Sequence, residues 1–432
     1  MMYEKMFIDI LEKEMAPALG CTDPAGVAYA AACAKKYVEG EIISITGDIS
    51  VNIIKNASAV CIPRTGGKCG VSLALALGAI GGNPERGLEV LSDIIEEDIE
   101  KAEKLINRGI VQVKVSENQK KLYMRVALQT DQDEAIVIIE DSYTSIISIT
   151  VNGKTIPLDE FNVDNCKNNN DLNPEISYGN LSLDSILNFA ETVSIGKLEI
   201  VQAAMKMNMA IAEEGLAKDY GVSAGRSIQS FVDTGKMGKG IVSQAMMWTA
   251  AATDARMAGC DIPVMSNTGS GNQGLASTIP VISIAKKMEV PYEKMVRAVT
   301  ISSLITIYIK NKLGELSAVC GAVIAGAGTS CGVVYLLDGT ADNMLAAMQS
   351  TLGDVAGMIC DGAKAGCSLK VATCTNTGVI AALLAMENRN IKGTDGIVGY
   401  GETQTIDNFI KISTEGMDKM DHTILEIILN KE

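Results

Sequence analysis

Ala318-Val-Cys-Gly-Ala-Val-Ile-Ala-Gly-Ala-Gly-Thr-Ser-Cys-Gly-Val-Val-Tyr-Leu-Leu337 runs for twenty residues without a charged side chain. A helix of that length can cross a bilayer. Gly321, Gly326, Gly328, Gly332, Thr329, Ser330 and two cysteines leave it only weakly hydrophobic, and no second stretch matches it. A helix buried on every side in a large helical domain gives the same signal. The expectation is therefore a glycine-rich central helix in a soluble chain with no membrane partner.

Outward from this run, nearly everything beyond about residue 172 reads as helix rich in Ala, Gly, Met and Ser. Residues 110–152 alternate with period two: Val111–Val115, Leu122–Leu128, Ala135–Ile139 and Ile146–Val151, with Asn152-Gly153 as a turn. Before them come helices over 3–15, 70–80 and 85–106, and another opened by Cys21-Thr-Asp-Pro24. In that last one Asp23 is the expected N-cap and Pro24 the first helical residue. Ile42–Ile54 reads as strand. The polar run Asp164–Asp171 reads as a linker. The predicted class is α+β: an N-terminal α/β domain over 1–160 carrying Cys21, then an all-helical domain over 165–432.

Composition narrows the function. With 52 acidic against 37 basic residues the net charge is −15, and a single Trp leaves few stacking platforms, so nucleic acid and anionic membranes are disfavoured as partners. A small molecule is the expected ligand. Eleven cysteines without a disulfide rhythm, and an amphipathic charged Met1–Met15 in place of a secretory leader, predict a reducing cytoplasm. The one histidine, His422, reads as a residue of the last helix, which argues against histidine-based triads and zinc sites.

Cys320, Cys360 and Cys367 are the residues with most chemistry to offer. Thiolates ligate iron–sulfur clusters, and three of them leave one iron of a four-iron cluster open as a Lewis acid. The gaps, thirty-nine residues and then six, match neither the compact ferredoxin run nor paired zinc knuckles. Three inert buried thiols are the competing reading, and spacing alone leaves both open. Cys331 lies eleven residues from Cys320 on the same predicted helix, near the same face.

The second strong feature is Asn267-Thr-Gly-Ser-Gly-Asn-Gln-Gly274, between two helices. Its glycines free backbone N–H groups, and Asn267, Thr268, Ser270, Asn272 and Gln273 add side-chain donors, a neutral cradle for a carboxylate or phosphate at a helix N-terminus. A plain connector is the alternative. Cys21, ahead of a helix N-terminus, could be a low-pKa thiol acting as base, or a small residue at a tight turn. Ile62–Gly70 offers Arg64 and Lys68 as further anion partners, or is a surface loop.

In combination these residues resemble the L-cysteine desulfidase family, relatives of the iron–sulfur L-serine dehydratases. The resemblance is carried by Gly20-Cys-Thr-Asp-Pro24, Asn52–Gly70, Gly81-Gly-Asn-Pro84, Met237-Gly-Lys-Gly240, Asn267–Gly274, Cys320–Gly332 and Cys360–Cys367. It implies a 4Fe–4S cluster, oxygen-sensitive in that family, on Cys320, Cys360 and Cys367, with one iron not ligated by cysteine and no pyridoxal phosphate. It also implies a catalytic Cys21 and a substrate carboxylate at the 267–274 loop. The implied reaction releases sulfide, ammonia and pyruvate from L-cysteine, with L-serine dehydration as the runner-up and a homodimer as the expected assembly. Two departures stand out: Tyr143 where the family's His-Thr pair leads one to expect histidine, and Arg64 where glycine is usual. A hypothesis of another class, a cluster-bearing redox sensor, needs the three cysteines but neither Cys21 nor the 267–274 loop.

Overall fold

The computed structural model describes residues 2–118, 120–158, 178–314 and 316–431. The expected linker over 164–171 lies outside them. α1 (Met2–Glu14) places Phe7, Ile10 and Leu11 on one side. A two-residue strand, β1 (Pro17–Ala18), leads to α2 (Thr22–Lys35), whose Ala-rich body is buried. β2 (Ile42–Ile49), α3 (Val51–Ala57), α4 (Val71–Gly81), α5 (Glu96–Asn107) and β3 (Val111–Val115) follow. β4 (Tyr123–Thr130), β5 (Glu134–Glu140), β6 (Ile146–Val151) and β7 (Lys154–Ile156) complete a six-stranded sheet of order β3-β2-β4-β5-β6-β7. Only the β2–β3 pair is parallel, and the run through α3, α4 and α5 between them provides the long crossover a parallel pair requires. Inward residues of the strands, among them Ile45, Val126, Leu128, Val137 and Ile149, pack under α2 and α4.

Three local expectations fail here. The helix expected over 85–106 begins only at Glu96, after a 3-10 turn over Pro84–Glu89. The strand stops at Ile49: Ser50 donates its N–H to Tyr123 O (2.9 Å) and its hydroxyl to Lys121 O (2.8 Å), and the chain then turns into α3. Val51, Ile54 and Ala57 fit helical spacing while Val51 and Ile53 continue the alternation, so periodicity could not separate the two. Asp23 is not an N-cap either. Cys21 takes that position with extended backbone, and Asp23 sits in the first turn with its carboxylate turned to other partners.

The helical region comprises α6 (Leu183–Thr192), α7 (Glu199–Ala217), α8 (Ala224–Asp233), α9 (Ile241–Met257), a short β8 (Val264–Met265), α10 (Gly271–Lys287) and α11 (Tyr292–Leu313). After these come α12 (Gly321–Leu336), α13 (Ala341–Val355), α14 (Cys367–Met386), α15 (Glu402–Lys411) and α16 (Met420–Leu429). α12 is the predicted central helix, packed by α10, α11, α13 and α14. Its glycines have a steric reason. A Cβ on Gly326 would stand 2.8 Å from Cys374 O and one on Gly378 2.5 Å from Gly326 O, so α12 and α14 touch backbone to backbone. Among the described residues one helix is long and apolar enough to cross a membrane. It is α14 rather than α12, which is shorter than the 318–337 run suggested, and more than half of α14 is buried.

The two ends of the chain cross over. Phe7, Ile10, Leu11 and Met15 belong to the core of the helical region, and β1 pairs with β8. At the other end α16 lies on α3, with Leu425 in the core beneath the sheet. Lys55 of α3, fully buried, forms an ion pair with Asp421 of α16 and donates to Cys360 O at 2.9 Å. Removing one partner of a buried pair strands the other charge, at about 3–5 kcal/mol. Asp421→Ala is accordingly expected to lower unfolding stability by that amount in urea titrations, and a loss under about 1 kcal/mol, the scale of an exposed pair, would show that the pair is no brace.

Candidate active site

Between the sheet-bearing region and the helical region lies a cavity of about 110 Å³. The N-terminal ends of four helices border it: Cys21, Thr22 and Asp23 of α2, Ser270, Asn272 and Gln273 of α10, Cys320, Gly321 and Ala322 of α12, and Cys367 of α14. Cys360, Asn56, Tyr143, Arg256 and Lys310 also line it. Four helix starts at one space make it a region of positive potential rich in N–H donors.

The cysteines are held by backbone. Val319 and Ile359 form an isolated antiparallel bridge, Cys320 N–H donates to Met358 O (2.9 Å), and Cys360 N–H donates to Ala318 O (2.7 Å). The two cysteine-bearing loops are thus tied together before any ligand arrives. Cys367 opens α14, its N–H donating to Lys364 O at 2.9 Å. Among the described residues no three His, Cys, Asp or Glu side chains close on a point suited to one ion. The three thiols instead border a shared space, as a polynuclear group requires. Burial, and secondarily the neighbouring Cys360, push the Cys320 thiol up to about 12, and burial raises that of Cys367. As thiolates they need cationic partners, which the irons of a cluster provide, so the donor set fits an iron–sulfur group. Cys331 does not join them: it is buried midway along α12, its thiol donating to Met344 O at 3.6 Å.

Opposite lies a polar knot. Cys21 Sγ donates to Asp23 Oδ2 at 3.6 Å, while Asp23 Oδ1 accepts from Tyr143 Oη (2.9 Å) and Asn56 Nδ2 (3.1 Å). The low-pKa thiol expected at Cys21 is overturned. Burial and the Asp23 carboxylate outweigh the helix terminus and the pull of Arg256, raising the thiol well above its ordinary value. Burial also raises Asp23, against the hydrogen bonds that lower it. The Asp23 carboxylate is thus the acceptor at hand for the Cys21 thiol proton.

The 267–274 loop reaches the cavity through Thr268, Ser270, Asn272 and Gln273, but not through Asn267. Asn267 is completely buried behind the loop, donating to Ser303 O (3.2 Å) and accepting from Thr268 Oγ1 (2.8 Å). Its place is in shaping the turn. Ser270 caps α10. Arg64 and Lys68 are also elsewhere, paired at the surface with Asp261 and Glu103. Two cations in the cavity were missed by sequence reasoning: Lys310 of α11, and Arg256, near the end of α9, with Nη1 donating to Asn272 Oδ1 at 2.8 Å. Asp23 and Asn56 were likewise given no site role. Tyr143, flagged as a departure, stands at the site, whereas His422 is exposed on α16.

The cavity's chemistry meets its family in the sequence comparison: the chain belongs to the serine dehydratase alpha-chain family, matching it over residues 85–426. That family is of the iron–sulfur serine dehydratase type, which does not use pyridoxal phosphate. Full-length relatives include proteins named "UPF0597 protein". One from Clostridium perfringens is 37% identical over 99% of both chains. One from Oleidesulfovibrio alaskensis is 37% identical over 99% of this chain and 98% of its own, and one from Shewanella sp. MR-7 is 38% identical over 98% of each.

Proposed function

We propose that the protein is a pyridoxal-independent lyase that eliminates sulfide from L-cysteine, with L-serine as the alternative substrate. The observation that supports this best is the meeting, in one cavity, of Cys320, Cys360 and Cys367 with the Cys21–Asp23 pair and the α10 loop. A cluster held by those three cysteines would supply a Lewis-acidic iron to the leaving sulfur.

The chain's own residues do the rest. N–H groups at the start of α10, with the side chains of Thr268, Asn272 and Gln273, receive the substrate carboxylate. Cys21 gives its proton to Asp23, as the existing hydrogen bond allows, and its sulfur takes the substrate's α-proton. Tyr143 and Asn56 hold Asp23 in the orientation that makes this transfer possible, so Tyr143 does positioning work where the family resemblance led us to expect histidine. Loss of the α-proton and sulfide leaves aminoacrylate, which water converts to pyruvate and ammonia.

The reading is tested by anaerobic purification. A brown protein with about four irons per chain that releases sulfide and pyruvate from L-cysteine supports it. Faster pyruvate release from L-serine would move the substrate to the alternative, and a brown protein without turnover of either would favour a redox sensor. Asn272→Ala is expected to raise KM for L-cysteine roughly tenfold to a hundredfold, the range for a hydrogen bond to a charged group, with iron content unchanged. Asn267→Ala, acting only on loop shape, should weaken L-cysteine and cysteamine alike. If Asn272→Ala also weakens both equally, the carboxylate is held elsewhere.

A further inference from the structure

Arg256 is 3% exposed, yet its Nε has no hydrogen-bond partner, and among the described residues no carboxylate forms an ion pair with it. Its one hydrogen bond goes to a neutral amide, Asn272 Oδ1. The nearby Asp23 carboxylate is taken up by hydrogen bonds from Cys21, Asn56 and Tyr143 and makes no direct pair with it. A buried guanidinium so weakly partnered is costly, and this one adds to the cost by where it lies. A Cβ on Gly271 would stand 2.4 Å from its Nε and 2.5 Å from its Cζ, so the guanidinium presses on the first residue of α10, the positive end of a seventeen-residue helix. A cation stacked on a helix N-terminus is repelled by it unless an anion sits within reach of both. Arg256 and the α10 turn face the same cavity.

Resting on the amino-acid reading above, we infer that Arg256 recognises the substrate's α-carboxylate and makes a carboxylate a condition of binding. Its planar fork and the α10 N–H groups take the carboxylate oxygens from two sides, and Asn272 fixes the fork's angle. Gly271 is then a residue of specificity as well, since any side chain there displaces the guanidinium.

The assignment can be read without turnover. L-Alanine has the carboxylate and amine but no leaving group, and ethylamine lacks the carboxylate. Both are titrated calorimetrically into the iron-loaded protein under anaerobic conditions. Wild type should bind L-alanine at least tenfold more tightly than ethylamine. Arg256→Gln should erase that preference, leaving ethylamine binding and iron content as they were, and Arg256→Lys should restore part of it. Wild type without a preference for L-alanine, or an Arg256→Gln protein that keeps it, overturns the inference. Should Arg256→Gln fail to fold, Arg256→Lys decides: full wild-type preference overturns the assignment, since a lysine cannot reproduce the fork, and partial preference upholds it. A protein that prefers L-alanine through Arg256 but releases neither sulfide nor pyruvate retains this inference and loses the proposed reaction. One that releases sulfide with Arg256→Gln at wild-type kcat/KM does the reverse.

Discussion

Alanine at Cys320, Cys360 or Cys367 is expected to leave the anaerobically purified protein nearly free of iron and without turnover. The Val319–Ile359 bridge sets the Cys320 and Cys360 loops against each other, and Cys367 closes the cavity from the start of α14. Two thiolates cannot replace three, and among the described residues the one other cysteine lining the cavity is Cys21, whose thiol is engaged by Asp23. Cys331 offers no rescue, being sealed into the core of α12. Iron per chain, measured with the visible absorption of the brown protein, checks each variant. Full iron content in any one of them would remove that cysteine from the ligand set.

Cys21→Ser and Asp23→Asn should keep the iron and lose the rate. Loss of a general base typically costs about two to four orders of magnitude, and the two changes strike the same transfer, so combining them should cost little more than either alone. The acid limb of the kcat/KM profile provides a second check. The acceptor must be unprotonated, so activity falls as pH drops through the Asp23 pKa, and burial places that limb above the ordinary carboxylate range. Near-wild-type turnover of Cys21→Ser would reduce Cys21 to a packing residue. Loss of iron in that variant would make it a ligand.

Much of the site was legible because its members carry local signatures. Cysteines in glycine-rich apolar runs, and donors gathered at a helix start, are visible without coordinates. The residues that escaped notice have no such signature. Arg256 ends an alanine-rich helix that is buried on nearly every side, so no polar face marks where its side chain goes. Asp23 read as a cap because Asp before Pro usually is one, whereas three partners from residues 21, 56 and 143 claim its carboxylate. The class of fold followed from period-two runs before residue 152 and helical runs after it. The crossing of the chain ends did not, since α1 and α16 each show an apolar face and nothing in that face names the core it will join.

That crossing has a consequence for how the protein is made. The carbonyl of Cys360 is anchored by Lys55, and Lys55 is held by Asp421, 366 residues further along the chain. While the polypeptide is being synthesised, Lys55 has no counter-charge and the Cys360 loop no anchor. Iron delivered to a nascent chain would meet cysteines still free to wander. On the function proposed above, a cluster would be held in place only once α16 has docked on α3, and a chain cut before Asp421 would lose the anchor of the Cys360 loop although Asp421 itself does not line the cavity.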